Sequence, residues 1–212
     1  MQLKIDLHVH TQYSYDALIT PEELFYYAKK RGLDGVAITD HDTTEGAAKI
    51  MGEKGFLIIP GIEVSSMDGH VVGLNVNDRI PQGLSVGETV DRIHEAGGIA
   101  VACHPTALFW DSLGKHVNAK FDAVEVINSS AFPFRYAVKR AMKIASSLRI
   151  PQVAGSDAHY APEIGYAYTI IDAEPEISST IEALTRGFCK PFGMAIPLHL
   201  RLRRVMLRFK KI

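Results

Sequence analysis

Apolar residues recur along the chain with two periods, and the two patterns alternate up to residue 187. Short, nearly continuous apolar runs predict strands, whereas apolar positions three and four residues apart predict amphipathic helices. The strand-like runs cover residues 3–10, 35–40, 56–66, 70–76, 98–105, 123–129, 151–159 and 166–171. The helical patterns cover residues 21–32, 44–55, 86–98, 136–148 and 175–187. This alternation predicts an α/β protein with a parallel sheet covered by helices.

The number of strand–helix units indicates how such a sheet is arranged. Seven or eight units without a glycine-rich nucleotide-binding loop favour a barrel over an open, doubly wound sheet. The sequence has no internal repeat, no low-complexity tract and no linker that would separate a second domain. We therefore predict a single barrel domain.

Composition narrows the class of protein further. Of the 212 residues, 47% are hydrophobic and 22% are charged, as in ordinary soluble domains, and the net charge of −1 indicates no particular partner. Two cysteines, Cys103 and Cys189, provide no disulfide framework. No apolar run approaches the roughly 20 residues that span a bilayer, and the N-terminus has no signal-peptide core. We expect a soluble, cytoplasmic protein without stable membrane insertion.

Polar residues of one kind collect at the ends of the predicted strands. In the first strand, IDLHVH, His8 and His10 are two residues apart and must point to the same face. The other histidines and acids at strand ends are His41, Glu63, His70, His104, Asp157 and His159. In a (β/α) barrel the carboxyl ends of the strands form one rim, where catalytic residues from different strands meet. We therefore expect these side chains to converge.

The donor atoms of this set are typical of a metal centre. With Asp16 the set offers nine nitrogen and oxygen ligands, the types that Zn²⁺, Mn²⁺ and Fe²⁺ bind. At about four donors per ion and with one shared carboxylate, they can hold two or three divalent ions. Any single histidine is more often a core or surface residue, but six on one rim favour metal binding, because without metal the buried acids would be poorly compensated.

The order of these motifs resembles a known family. DLHVHTQYSYD, AITDHD, GIE, His70, CHP and GSDAH follow one another as in the PHP (polymerase and histidinol phosphatase) family, over residues 3–171. The resemblance implies a distorted, TIM-like (β/α)7 barrel with a trinuclear metal site at the C-terminal rim of the strands, and phosphoesterase activity. We accordingly assign residues 1–190 to the barrel and residues 191–212 to a tail that packs on it or extends from it.

The resemblance also implies a ligand set for each ion. One ion would be held by His8, His10, Glu63 and Asp157. Glu63 would bridge to a second ion held by His70 and His104. The third ion would be held by Asp16, His41 and His159, although many relatives have histidine in place of Asp16. Only 40 residues separate Glu63 from His104, so the substrate-capping insertion of the larger relatives is expected to be missing or reduced.

Charge supports a phosphate substrate. Three divalent ions and three acids would leave the pocket at about +3, which attracts anions. We predict that a water bridging two ions attacks phosphorus. Asp6, on the same face of the strand as His8 and His10, is predicted to contact a metal ligand and not to bind an ion itself.

Four further residues are predicted to act at the site. Asp40 and Asp42, which flank His41, are predicted to orient the nucleophile or an imidazole; the alternative is a turn or cap role. Asn128 and Arg135 are predicted to contact the substrate phosphate; the alternatives are a turn former and an exposed charge at a helix start.

The C-terminal tail is unusually basic. Residues 201–212 contain six of the 23 basic residues and no acid, so the rest of the chain carries −7. Apolar positions near helical spacing predict an amphipathic helix; they are Leu198, Leu202, Val205, Met206 and Phe209. We favour a terminal helix packed on the barrel with its charges in solvent. The alternatives are a patch that attracts nucleic acid and a helix on a membrane surface.

Three functions fit these observations. The first is a metal-dependent phosphatase for a nucleotide or small-metabolite phosphate. The second is a nuclease or phosphodiesterase that uses the same ions and binds RNA or single-stranded DNA through the basic tail. The third is a non-catalytic regulatory module, which the complete ligand set argues against.

Overall fold

The strands of the molecule form one curved sheet. A computed structural model of the chain describes residues 1–50, 52, 54–108 and 112–209. Within these residues the strands are β1 (Gln2–Val9), β2 (Gly35–Ile38), β3 (Leu57–Ser66), β4 (Gly69–Leu74), β5 (Ile99–Ala102), β6 (Ala123–Asn128), β7 (Gln152–Gly155), β8 (Ala167–Asp172) and β9 (Cys189–Gly193). The helices are α1 (Pro21–Lys30), α2 (Glu45–Lys49), α3 (Val86–Glu95), α4 (Phe134–Leu148), α5 (Ile177–Thr185) and α6 (Leu198–Phe209).

The sheet is mixed rather than parallel. Its strand order is β7-β6-β5-β4-β3-β2-β1-β8-β9. Two blocks are parallel, β1-β2-β3 and β5-β6-β7, but β4 runs antiparallel to both of its neighbours, and β8 is antiparallel to β1 and β9. The prediction of a parallel sheet was therefore wrong at β4 and at β8. Only two residues connect β3 to β4, and a connection that short can join only antiparallel strands.

The two ends of the sheet approach each other and nearly close it. The hydroxyl of Thr169 on β8 donates to the carbonyl oxygen of Ala154 on β7 (3.0 Å) and accepts from the same residue's N–H (2.8 Å). Just beyond β7, Ala158 forms a parallel bridge with Val9 of β1. A distorted TIM-like barrel is thus confirmed, and the C-terminal ends of β1 and β7 lie side by side.

Local sequence explains where the helices begin. Thr20 and Glu23 form a capping box at the start of α1, and Ser85 and Glu88 form one at the start of α3. The predicted helix 44–55 is shorter in the structure, and its residues 51 and 53 lie outside the described residues. The described helices include none that is both long and apolar enough to cross a bilayer.

The tail begins within the sheet. The division predicted after residue 190 falls inside β9, which pairs with β8 through Gly193. After a short connection, α6 follows as the last helix of the described chain.

Candidate metal centre

The end of β1 delivers two imidazoles to the rim, as its period of two requires. His8 and His10 are fully buried, and the Nε2 atoms of their rings lie 3.1 and 3.0 Å from the same oxygen, Oε2 of Glu63. Oδ1 of Asp157, which follows β7, lies 3.7 Å from His8 Nε2 and 3.4 Å from His10 Nε2. These four residues offer ligand atoms within 4.8 Å of one another, so they are placed to surround one ion.

Glu63 lies at the centre of the cluster. Its Oε2 faces His8, His10 and also His41, whose Nδ1 is 3.4 Å away. Its Oε1 faces the other side, 3.0 Å from His70 Nδ1 and 2.9 Å from His104 Nε2. A carboxylate with one oxygen toward each of two imidazole groups has the arrangement that a metal-bridging ligand needs.

A third group lies beside His10. Oδ2 of Asp16 is 3.0 Å from His159 Nε2 and 3.7 Å from His41 Nε2, and the rings of His10 and His159 stack with centroids 4.1 Å apart. All nine residues predicted from the sequence thus lie in one cluster. Cys103 also approaches it, with Sγ 3.6 Å from Glu63 Oε1.

Unsatisfied nitrogen atoms in the cluster fit metal binding. Nε2 of His10, Nδ1 of His41 and Nδ1 of His104 are buried and have no hydrogen-bond partner among the described residues. Leaving such atoms unpaired costs about 1–3 kcal/mol each. Imidazole and carboxylate ligands together suit zinc, manganese or iron, so bound divalent ions would remove this cost.

The charges of the cluster compensate one another. Burial alone would raise the pKa of Glu63, but the neighbouring His41 and His8 hold that pKa well below its usual range. Burial would lower the pKa of His10, but the neighbouring carboxylates of Asp157 and Glu63 raise it to about 9. In His41 burial dominates and lowers the pKa to about 4. Metal binding would therefore displace protons from some of these imidazoles.

Glu125 supports the cluster from behind, and sequence analysis did not find it. It is buried on β6, and its Oε1 lies 3.0 Å from Nδ1 of His8. Its Oε2 accepts from the backbone N–H of His104 (2.8 Å) and from the side-chain amide of Asn128 (2.9 Å). A carboxylate on the far nitrogen of a ligand histidine fixes the ring's orientation and tautomer. An acid within the apolar run AVEVI was the available signal.

A glycine makes this contact possible. A Cβ atom on Gly155 of β7 would lie 2.4 Å from the Cβ of His8 and 2.7 Å from Oε1 of Glu125. Both distances are far shorter than a carbon atom permits, so only glycine fits here.

The aspartates predicted beside the nucleophile hold the backbone instead of facing the pocket. Asp40 is fully buried and accepts hydrogen bonds from the N–H (2.6 Å) and hydroxyl (2.8 Å) of Thr11, which follows His10. Asp42 accepts from the N–H and hydroxyl of Ser65, both at 2.8 Å. Asp6 accepts from the N–H groups of Ser156 (2.8 Å) and Gly165 (2.9 Å). These contacts position the loops that carry the cluster.

The other two predicted residues differ in position. Asn128 is buried at the cluster, and its amide donates to Oδ2 of Asp157 (3.2 Å) as well as to Glu125. Arg135 is exposed in the first turn of α4 and does not line the pocket. The structure therefore brings Asn128 to the cluster and leaves Arg135 outside it.

A cavity of about 280 Å³ opens onto the cluster. Seven of the nine predicted ligands line it: Asp16, His41, Glu63, His70, His104, Asp157 and His159. The remaining lining residues are Tyr15, Ser130 and, from α6, Arg204 and Arg208. Tyr15 stacks on His41 with ring centroids 5.1 Å apart. The pocket thus has a floor of imidazoles and carboxylates and a basic side wall.

Helix α6 docks on the barrel through its arginines. Arg201 donates to the carbonyl oxygens of Ser130 (2.9 Å), Ser129 (2.6 Å) and Ile196 (3.0 Å). Arg204 donates to Glu163 (3.0 Å). The expectation that the basic charges of the tail lie in solvent was thus wrong for these two side chains. Phe209's side chain, Lys210 and Lys211 lie outside what the structure describes.

Comparison with known proteins agrees with the geometry. The family model PHP_C, described as PHP-associated, matches residues 135–189. An uncharacterised protein of Methanocaldococcus jannaschii is 38% identical over 141 residues, which cover 60% of this chain and 82% of that protein. A two-domain Bacteroides vulgatus protein containing a predicted PHP-like metal-dependent phosphoesterase has the same fold, with a TM-score of 0.71 at 20% identity over 98% of this chain and 70% of the other.

Two relatives with named activities match part of the chain. A 3′,5′-nucleoside bisphosphate phosphatase of Chromobacterium violaceum is 33% identical over 145 residues, 60% of this chain and 50% of that protein. The 5′-3′ exoribonuclease Rnm of Salmonella typhimurium is 41% identical over 81 residues, 34% of this chain and 27% of that protein. The resemblance found in the motifs is therefore confirmed: the chain belongs to the PHP family of metal-dependent phosphoesterases.

Proposed function

We propose that the protein hydrolyses phosphate monoesters of small molecules, such as nucleotides or small-metabolite phosphates. The observation that carries this proposal is the cavity of about 280 Å³, which joins the ligand cluster to two arginines. Small-molecule sites are commonly concave pockets of about 300 Å³ or more, so this one suits a compact substrate. Its charge suits an anion.

The metal ions would be two or three, of zinc, manganese or iron. We propose that His8, His10, Glu63 and Asp157 hold the first ion, that Glu63, His70 and His104 hold the second, and that Asp16, His41 and His159 hold the third. When bound, such ions lower the pKa of water toward about 7 and neutralise charge on phosphoryl oxygens. The short distances from both Glu63 oxygens to imidazole nitrogens support the shared role of this carboxylate.

The protein's own residues would orient the ligands and bind the substrate. Glu125 holds His8 through Nδ1, and Asn128 holds Asp157 through its side-chain amide. Both contacts keep the proposed ligand atoms directed toward the centre of the cluster. The two arginines of the side wall leave it with a net positive charge, because Glu163 offsets only that of Arg204, and this charge favours an incoming phosphate ester.

A nuclease is the second candidate, because α6 is basic and one named relative is an exoribonuclease. Both functions use the same ions and differ in whether the pocket accepts a diester strand. A nuclease would grip several phosphates, so its affinity for RNA would fall steeply with salt.

Hydrolysis of two model esters separates the candidates. The manganese-loaded protein should cleave p-nitrophenyl phosphate at least about tenfold faster than the bis-ester, since the pocket holds one terminal phosphoryl group. His104→Ala is the control, because it removes a proposed ligand. Faster cleavage of the bis-ester, together with salt-dependent binding of RNA, would support the nuclease instead. If wild type cleaves neither ester faster than His104→Ala, both candidates are wrong.

A further inference from the structure

An amphipathic helix usually packs with its apolar side chains against the protein, but most apolar side chains of α6 are exposed. Its exposed side chains include Leu198 (70% exposed), Leu202 (56%), Val205 (48%) and Met206 (62%). Its arginines at 201 and 204 are largely covered by the barrel. Hydrophobic burial alone does not explain this orientation, because these four apolar side chains face away from the barrel and, among the apolar side chains described on the helix, only Leu200 and Leu207 are partly buried. The orientation is explained by what the arginines contact.

Two arginines anchor the helix at the rim. Arg201 satisfies three backbone carbonyl groups, two of them in the turn after β6. Arg204 pairs with Glu163, whose side chain is 0% exposed, and Nη1 of Arg204 also lies 3.4 Å from the hydroxyl of Ser130. Glu163 in turn accepts from the N–H of His159 (3.1 Å), a proposed metal ligand. The position of α6 is therefore set relative to the cluster.

Arg208 follows one helical turn after Arg204 and lines the same pocket. Glu163 offsets the charge of Arg204, but no acid among the described residues pairs with Arg208. Tyr15, which stacks on His41 and lines the same pocket, lies close enough for the charge of Arg208 to act on its hydroxyl. The pocket thus carries one uncompensated guanidinium in addition to the histidines and acids of the cluster.

We propose that α6 is a specificity element, in which Arg208 binds a second anionic group of the substrate while the reacting phosphoryl group lies on the metal-ligand cluster. This inference rests on the proposed phosphatase function. The substrate class is then small phosphate monoesters that carry an additional carboxylate or phosphate. A guanidinium binds either group by charge-assisted, bidentate hydrogen bonds.

Binding of non-hydrolysable compounds tests this assignment without measuring turnover. The manganese-loaded protein is titrated calorimetrically with ω-phosphonocarboxylates of increasing chain length and with alkylphosphonates of matched length. A bisphosphonate series distinguishes a second phosphate from a carboxylate. Wild type should bind the best-fitting member with two anionic groups about tenfold more tightly than its single-anion match, the effect expected of one charge-assisted hydrogen bond.

Three variants assign the preference to Arg208. Arg208→Ala should reduce the preference for two anionic groups to less than about twofold. Arg208→Lys should retain part of this preference, because lysine keeps the positive charge but lacks the planar guanidinium that forms two parallel hydrogen bonds. Arg203→Ala is the matched control, since Arg203 is exposed on the same helix and does not line the pocket. It should leave the preference unchanged.

Several outcomes would overturn the inference. One is equal binding of both series at every chain length. Another is a preference that survives in Arg208→Ala. If p-nitrophenyl phosphate is still hydrolysed in either case, the phosphatase proposal stands and only the role of α6 is wrong. If no phosphonate binds and no monoester is cleaved, the phosphatase proposal itself fails.

Discussion

Strand β1 brings two imidazoles to the ligand cluster, and helix α6 brings two arginines to the pocket that opens onto it, but the forces that place them differ. On β1 the alternation of the strand points His8 and His10 inward, next to apolar neighbours that are buried as well. On α6, Arg201 and Arg204 point inward, and most of the apolar side chains remain exposed. The strand is positioned by burial and backbone pairing, and the helix is positioned by hydrogen bonds and one buried ion pair.

This difference predicts which side chains can be removed without destabilising the protein. Side chains on β1 belong to a fixed backbone, so their loss should remove chemistry and leave the fold intact. Side chains on α6 hold the helix itself, so their loss should first affect stability. The four predictions below test this contrast, from the largest expected effect to the smallest.

The double variant His8→Ala/His10→Ala should abolish metal-dependent hydrolysis. Both imidazoles face Glu63 Oε2, so one proposed ion would lose two of its four ligands. We expect p-nitrophenyl phosphate hydrolysis to fall at least about 1000-fold, together with the bound metal measured by elemental analysis. His94→Ala is the control, because His94 lies on α3 away from the cluster. Normal metal content in the double variant would contradict the proposed ligand set.

Arg204→Ala should destabilise the protein more than any other single change on α6. Removing the guanidinium leaves Glu163 buried and unpaired, which costs about 3–5 kcal/mol. Urea unfolding followed by circular dichroism measures the loss. Arg203→Ala, at an exposed position of the same helix, should change the unfolding free energy by less than about 0.5 kcal/mol. Equal effects of the two changes would show that Arg204 does not anchor the helix.

Glu125→Gln should weaken the metal centre without unfolding the barrel. The amide keeps the volume of Glu125 but removes the charge that faces His8 Nδ1. Loss of such a contact typically costs about 10–100-fold in metal affinity or activity. Competition with a chelator measures the affinity, and Glu176→Gln at an exposed position is the control. An unchanged affinity would show that Glu125 has only a packing role.

Asp6 should make the metal-free protein less stable as pH rises. Burial raises the pKa of Asp6 from 3.8 to about 6, so the folded state binds its proton more tightly than the unfolded state. The stability contributed by the protonated form is complete below pH 3.8 and is lost as pH rises through 6. Relative to Asp6→Asn, wild type should lose about 2 kcal/mol of unfolding free energy over this range, measured by urea unfolding with EDTA. A constant difference between the two would refute this assignment.

Sequence reasoning worked where a short-range rule determined side-chain direction. The period of two on β1 and the repeated placement of histidines and acids at strand ends were enough to predict that eight of the nine residues converge. Asp16, in the loop after β1, was added to them as a further carboxylate. Sequence reasoning failed where the orientation of a side chain depended on contacts that exist only in the folded barrel. Arg201 contacts a carbonyl group in the turn after β6, and Arg204 contacts Glu163 in the segment after His159. Only the folded barrel brings these partners next to α6.

Two other features were missed for different reasons. Glu125 is one acid in an apolar strand, and its partner His8 lies 117 residues away, so only the sheet order brings them together. Strand β9 is short and contains a proline, and its residues are largely exposed, so its pattern is weak. The antiparallel direction of β4 could have been predicted from its short connection to β3, because so few residues cannot form the crossover that parallel strands need.

Gly155 shows how a position without any functional group can be as intolerant as a ligand. A library of all substitutions, selected for activity, should reject every replacement there, since even alanine would push His8 from Glu125. Its mutational profile should therefore match that of His8. Substitution data alone would therefore place Gly155 among the active-site residues, although it contributes only the space that the contact between His8 and Glu125 requires.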